Sequence, residues 1–75
     1  KEAARRYAAR FLGRVERVLV ESRSKLSGLM TGTSDHYLQV EFAASPTLAG
    51  QLVQVRITDL APDGVLGELV SEGVS

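Results

Sequence analysis

The 75-residue chain contains no cysteine, no tryptophan and a single histidine. Without cysteine it has no disulfide, thiolate metal ligand, iron–sulfur ligand or thiol nucleophile. His36 alone falls short of the several His or Cys ligands from which zinc sites are built. No apolar run approaches the roughly 20 residues of a membrane-spanning helix. No signal-peptide pattern is present either. The expected setting is cytoplasmic, which a cysteine-free composition permits without requiring.

Catalytic signatures are missing as well. There is no P-loop, no G-x-G-x-x-G and no G-x-S-x-G. Ser34, Asp35 and His36 supply the residue types of a hydrolase triad. Neighbouring positions in one turn do not give the nucleophile–base–orienter geometry that a triad needs. Asp59 and Asp63 flank a tight turn, where carboxylates serve turn formation and solvation. No catalytic or metal-ligating residue is assigned.

A chain of this size forms one domain and buries only about 60% of the surface that it exposes when unfolded. That leaves little material for a deep cleft. The apolar fraction of 44% and the charged fraction of 24% fit a globular protein. The chain opens at Lys1 inside a helical pattern without an initiator Met, as expected of a piece of a longer protein.

The zero formal charge conceals a division. Residues 1–25 carry eight cations against three carboxylates, a balance of +5, and residues 26–75 carry one against six, a balance of −5. Such asymmetry is a hint of a polyanion-binding side. The alternative is that the halves attract one another or solvate their own surfaces.

Ala4, Tyr7, Ala8 and Phe11 recur at i, i+3, i+4, i+7 and predict an N-terminal helix over residues 1–13, with Gly13 at its C′ position. Tyr7 and Phe11 are expected to pack on a neighbouring surface. From Arg14 the period changes to two. RVERVLVE predicts a first strand in which Glu16 and Arg17 interrupt the alternation, through a bulge or a two-sided strand. SRSKLSG is a loop with two cations. Leu29–Thr33, Tyr37–Phe42, QLVQVRIT at 51–58 and VLGEL at 65–69 complete five strands. AASPTLAG and DLAPDG serve as loop and turn, and SEGVS as a tail. Gly67 inside the last strand signals a bulge or a close backbone approach.

Five short strands separated by Gly and Pro turns predict an all-β fold, a small five-stranded β-barrel preceded by one helix. Its expected core is Val18, Val20, Leu38, Val40, Phe42, Val53, Val55, Ile57, Leu66 and Leu69. Each large side chain is worth about 1.5–3 kcal/mol when fully buried. A barrel this small binds ligands on its outer face and loops.

Taken in order, VLVE, the basic SRSK loop, GLMTGTSDHYLQVEF, LAGQLVQVRIT and GVLGEL resemble the TRAM domain at the C-terminus of radical-SAM tRNA methylthiotransferases. The matching positions are Gly32, Thr33, Tyr37 and Val40; Gly50, Val53, Val55, Ile57 and Thr58; and Leu66, Gly67 and Glu68. RRYAARFLGR resembles the helix that links the radical-SAM core to this domain. The resemblance sets boundaries of 1–13 for a linker helix, 14–70 for an OB-like TRAM barrel and 71–75 for a tail. The Tyr-Leu-x-Val form of the third strand looks more like the branch acting on threonylcarbamoyl-adenosine than the isopentenyl-adenosine branch.

The resemblance implies an RNA-binding module that helps hold a tRNA anticodon stem-loop for methylthiolation. In such enzymes the 4Fe-4S clusters and S-adenosylmethionine belong to a radical-SAM core in the same chain, outside these residues. The isolated domain is expected to be a monomer. Cations at Arg14, Arg17, Arg23 and Lys25 would neutralise phosphates. Tyr37 and His36 would stack bases, and Thr33 joins them through the matching motif. Tyr37 either contacts a base or packs on the barrel rim with its hydroxyl wet. Arg56 either reaches phosphate or pairs with Glu41. The acidic second half departs from a uniformly basic RNA binder and implies one-sided contact. The alternative function is a module that docks on its parent enzyme through Tyr7, Phe11 and strand edges.

Overall fold

A computed structural model describes residues 2–71. Helix α1 (Glu2–Ala9) precedes strands β1 (Val15–Arg23), β2 (Met30–Ser34), β3 (Gln39–Ala43), β4 (Leu52–Ala61) and β5 (Gly64–Ser71). The strands close into a barrel in the order β1-β2-β3-β5-β4, with β4 returning to β1. Every pairing is antiparallel except β3 with β5. This is an OB-like Greek-key arrangement, and it agrees with the fold predicted from the strand pattern. Closure gives every strand two hydrogen-bonded neighbours, so no long edge is left to recruit another chain.

Side-chain alternation explains which residues turn inward. Val18, Val20, Val40, Phe42, Val53, Val55, Ile57 and Val65 are essentially inaccessible, and Leu38 and Met30 join them. On β1 the alternation is unbroken from Val15 to Val20 and includes Glu16 on the inward side. The irregularity foreseen at Glu16 and Arg17 falls instead at Glu21, where the β1–β2 register shifts between Val20 and Ser22. On β5 the buried apolar residue is Val65, and Leu66 is only half-buried, which corrects its place in the expected core. A register shift between Ile57 and Asp59 sets this phase, pairing Gly67 with Ile57 and Leu66 with Asp59. Leu69 packs at the margin of the core.

The ends of the barrel are plugged differently. Pro46–Leu48 forms one 3-10 turn capped by the Ser45 side chain, in place of an irregular loop, and its Leu48 is buried. Gly50 N–H donates to Val20 O, which fixes this plug beside the far end of β1. At the other end α1 gives way to a tight turn, and Gly13, at φ 83°, donates its N–H to Ile57 O at 2.7 Å. That turn drives Phe11 and Ala8 into the core. The helix is shorter than the predicted 1–13, and Phe11 packs on its own barrel. Of the expected tail, residues 72–75 lie outside the described residues.

Gly67 is the close approach that the sequence signals. A Cβ there would meet Val55 Cγ1 at 2.4 Å and Arg56 O at 2.8 Å. One of these obstacles is backbone, so the barrel wall has to move to make room. Gly67→Ala is therefore predicted to cost about 1–3 kcal/mol, the usual penalty of overpacking. Urea denaturation followed by circular dichroism measures it, and an unchanged midpoint contradicts the packing described.

Candidate nucleic-acid interface

Two loops flank β2 and lie at its opposite ends. The first joins β1 to β2 and spans residues 24–29. Ser24 Oγ accepts from the N–H groups of Leu26 and Ser27, Ser24 N–H donates to Leu29 O at 2.7 Å, and Gly28 N–H donates to Ser24 O. These bonds fold the loop back on itself and push Lys25 and a fully exposed Leu26 into solvent. Among the described residues, Arg23 and Lys25 have no side-chain hydrogen bond or ion pair.

The second loop joins β2 to β3 over residues 35–38. It is organised by buried Ser34, whose Oγ accepts from His36 N–H and Leu38 N–H and whose carbonyl accepts from Tyr37 N–H. Tyr37 takes φ 66°, and it alone among the described non-glycine residues lies at positive φ. The residue is 85% exposed. A left-handed residue cannot continue a strand, so β3 begins at Gln39 instead of Tyr37. Left-handed backbone at a residue with a Cβ costs about 1–2 kcal/mol. Tyr37 bears that strain without burying its ring, a pattern that belongs to functional positions.

His36 is held far more firmly than a surface bystander. Its Nδ1 lies 2.9 Å and 3.1 Å from the two oxygens of Glu16, a carboxylate that is itself buried. The imidazole packs on Phe11 at 4.9 Å between centroids, Phe11 meets Tyr7 edge-on, and the Tyr7 hydroxyl donates to His36 O. Glu16, His36, Phe11 and Tyr7 thus pin α1 and the Tyr37 loop to one end of the barrel. The sequence reading missed Glu16. Its one visible signal is that it shares strand parity with Val18 and Val20.

The remaining expected contacts divide. Thr33 Oγ1 donates to Glu21 and accepts from Gln39 Nε2, which commits Thr33 to the wall of β2. Arg17 Nε donates to Asp35 Oδ2 at 2.9 Å, so its charge is matched locally. Arg56 does not pair with Glu41: its Nη1 donates to Gly13 O at 3.1 Å, and the residue is exposed. Val15 pairs with Arg56 and Arg17 with Gln54, so Arg17, Arg56 and the adjoining Arg14 lie on the β1–β4 wall. Lys25 and Tyr37 do not share a rim as the sequence suggested. The length of β2 separates their loops, roughly 15 Å at about 3.3 Å per residue.

Parallel pairing of Val40 with Val65 brings the Pro62–Asp63 hairpin alongside β3. Two adjoining grooves result. One runs from Ser24, Leu26 and Ser27 over Thr31, Gln39 and Glu41 to Asp63, with a volume of about 370 Å³. The other continues past Gln39 to Tyr37, Tyr7 and Arg5 on α1. Together they form a trough with the β1–β2 loop at one end and Tyr37 at the other. In OB-folds this face, bounded by the first and fourth inter-strand loops, is the one that takes oligonucleotides.

The TRAM domain model matches residues 9–70. The chain belongs to the TRAM domain family. It is similar to tRNA-2-methylthio-N(6)-dimethylallyladenosine synthases: 49% identical over 61 residues to that of Geobacter metallireducens, covering 81% of this chain and 14% of the relative. It is 40% identical over 68 residues to those of Alkalilimnicola ehrlichii and Vibrio cholerae, covering 89% of this chain and 15% and 14% of theirs. The TRAM chain thus spans about one seventh of the length of these relatives. All three carry the dimethylallyl name, against the threonylcarbamoyl leaning of the third strand. Among the described residues of this TRAM domain no helix is long and apolar enough to cross a membrane. Nor does any group of three or more His, Cys, Asp or Glu there suit a metal ion. With no cysteine, the chain has no thiolate for an iron–sulfur cluster.

Two substitutions separate the structural member of the His36–Tyr37 pair from the displayed one. His36→Ala leaves the Glu16 carboxylate buried without its partner and is predicted to cost about 1–3 kcal/mol. Tyr37→Asn places in the left-handed region a residue that tolerates it and is predicted to keep or raise stability. Thermal melts of both variants check this, and a large loss for Tyr37→Asn contradicts it.

Proposed function

We propose that this TRAM domain binds tRNA, on the anticodon arm, and helps position it for methylthiolation of a modified adenosine by a radical-SAM core elsewhere in the parent chain. That core would carry the 4Fe-4S clusters and S-adenosylmethionine; the domain supplies contacts and no chemistry. Family membership supports RNA binding, and the relatives' names support a tRNA-modifying parent in the cytoplasm. The observation that carries the reading is the trough, with an unburied, strained tyrosine at one end and, at the other, the β1–β2 loop that follows Arg23 and carries Lys25. Arg23 and Lys25 neutralise phosphate and release counterions. Tyr37 offers a face to an unpaired base, an interaction worth about 1–3 kcal/mol. Residues 1–13 would then link core and barrel, residues 14–70 form the binding module, and the domain alone is monomeric.

A second reading, docking on the parent enzyme, keeps one specific support. Leu19 faces Leu52 across β1 and β4, and both, with Val15, are exposed apolar residues off the trough. Phe11 and free strand edges no longer serve it, since Phe11 is buried and the barrel is closed.

Fluorescence anisotropy with a labelled anticodon stem-loop tests the proposal. Two phosphate contacts in a single-stranded loop predict a fall in affinity of about sevenfold between 50 and 200 mM salt. Reversing both charges, Arg23→Glu with Lys25→Glu, should weaken binding by about tenfold or more, equivalent to about 1.4 kcal/mol. Salt-independent binding, or none at low salt, contradicts the assignment.

A further inference from the structure

The trough is not electrically uniform, and its middle is unsuited to phosphate. No Lys or Arg lines the groove between the β1–β2 loop and the Pro62–Asp63 hairpin. Its polar side chains are Glu41 and Asp63, which are acceptors only, the amide Gln39, and the hydroxyls of Ser24, Ser27 and Thr31. Glu41 is half-buried, and its one side-chain hydrogen bond among the described residues is a long one of 3.5 Å from Ser27 Oγ, so most of its acceptor capacity is open to the groove. Aromatic rings are confined to the far end, at Tyr7 and Tyr37.

A strand crossing this trough would keep its phosphates away from these carboxylates, toward Lys25 beside one end and Arg5 at the other, and turn its bases inward. There the two carboxylates meet the hydrogen-bonding edges. Carboxylates accept from exocyclic amino groups, which adenine, cytosine and guanine possess. Uracil instead presents two carbonyl oxygens around a single N–H, and placing either oxygen against a carboxylate leaves acceptor facing acceptor. We propose that Glu41 and Asp63, with Gln39 between them, read the base beside the one stacked on Tyr37. They select bases that carry an exocyclic amine and reject uracil. This rests on the RNA-binding reading above and adds specificity to it.

Cytosine and uracil are the discriminating pair, because they match in size while differing in edge chemistry. The barrel closes on itself around its own buried residues, so the 75-residue chain serves for the experiment. Affinities for the hexanucleotides rC6 and rU6 are compared at low salt for the native sequence, Glu41→Ala and Asp63→Ala. Cytosine is expected to bind at least about fivefold more tightly, in line with base-edge contacts elsewhere. In each variant the ratio should fall toward one, with affinity for rU6 unchanged or improved once a carboxylate is removed. A misfolded variant would lose both ligands, and the exposed position of Asp63 guards against that for Asp63→Ala. Equal affinity of the native sequence for rC6 and rU6 overturns this specificity and leaves RNA binding standing. Failure of both to bind overturns both readings.

Discussion

Parallel pairing of β3 with β5 is the constraint on which the rest depends. The other pairings are antiparallel, and those of β1 with β2, β2 with β3 and β4 with β5 join neighbours in sequence. Only β3–β5 and β1–β4 draw the two halves of the chain into one closed wall. β3–β5 also lays Pro62 and Asp63 along Gln39 and Glu41, which creates the trough. The close packing of Gly67 on Val55 lets β5 lie near enough to β4 for that closure. Shape and candidate site therefore have one origin.

The division of charge acquires a spatial meaning in the barrel. Part of the basic N-terminal third is consumed internally: Arg17 answers Asp35, and Arg56 from the second half answers the Gly13 carbonyl. Arg23 and Lys25 stand beside the β1–β2 end of the trough without lining either groove, and its middle is acidic. A domain arranged this way gains little from nonspecific attraction to polyanions, since the carboxylates oppose it. On the proposed reading, its affinity for RNA comes from few contacts in a fixed order, as suits an accessory module.

Much of the fold was legible because hydrophobic alternation is local. Val53, Val55 and Ile57 announced β4, and Leu38, Val40 and Phe42 gave the inward stripe of β3 with the segment leading into it. Glu16 was hidden because a carboxylate at an inward position looks like a break in pattern, and its partner His36 is twenty residues away. Leu66 was misplaced because a bulge, invisible in composition, shifts the phase between Ile57 and Asp59. The cationic loop and Tyr37 were both found, but their separation was not. Successive hairpin loops occupy opposite ends of the strand they share, which becomes apparent only once β2 is located.

Nuclear magnetic resonance mapping of an anticodon stem-loop titrated into the 75-residue chain tests the central claim most directly. The account predicts perturbed amides along one path, from Arg23–Leu26 through Gln39–Glu41 and Asp63 to Tyr37, with the exposed face at Val15, Leu19 and Leu52 silent. Perturbations confined to that β1–β4 face, or an absence of any at low salt, would contradict it.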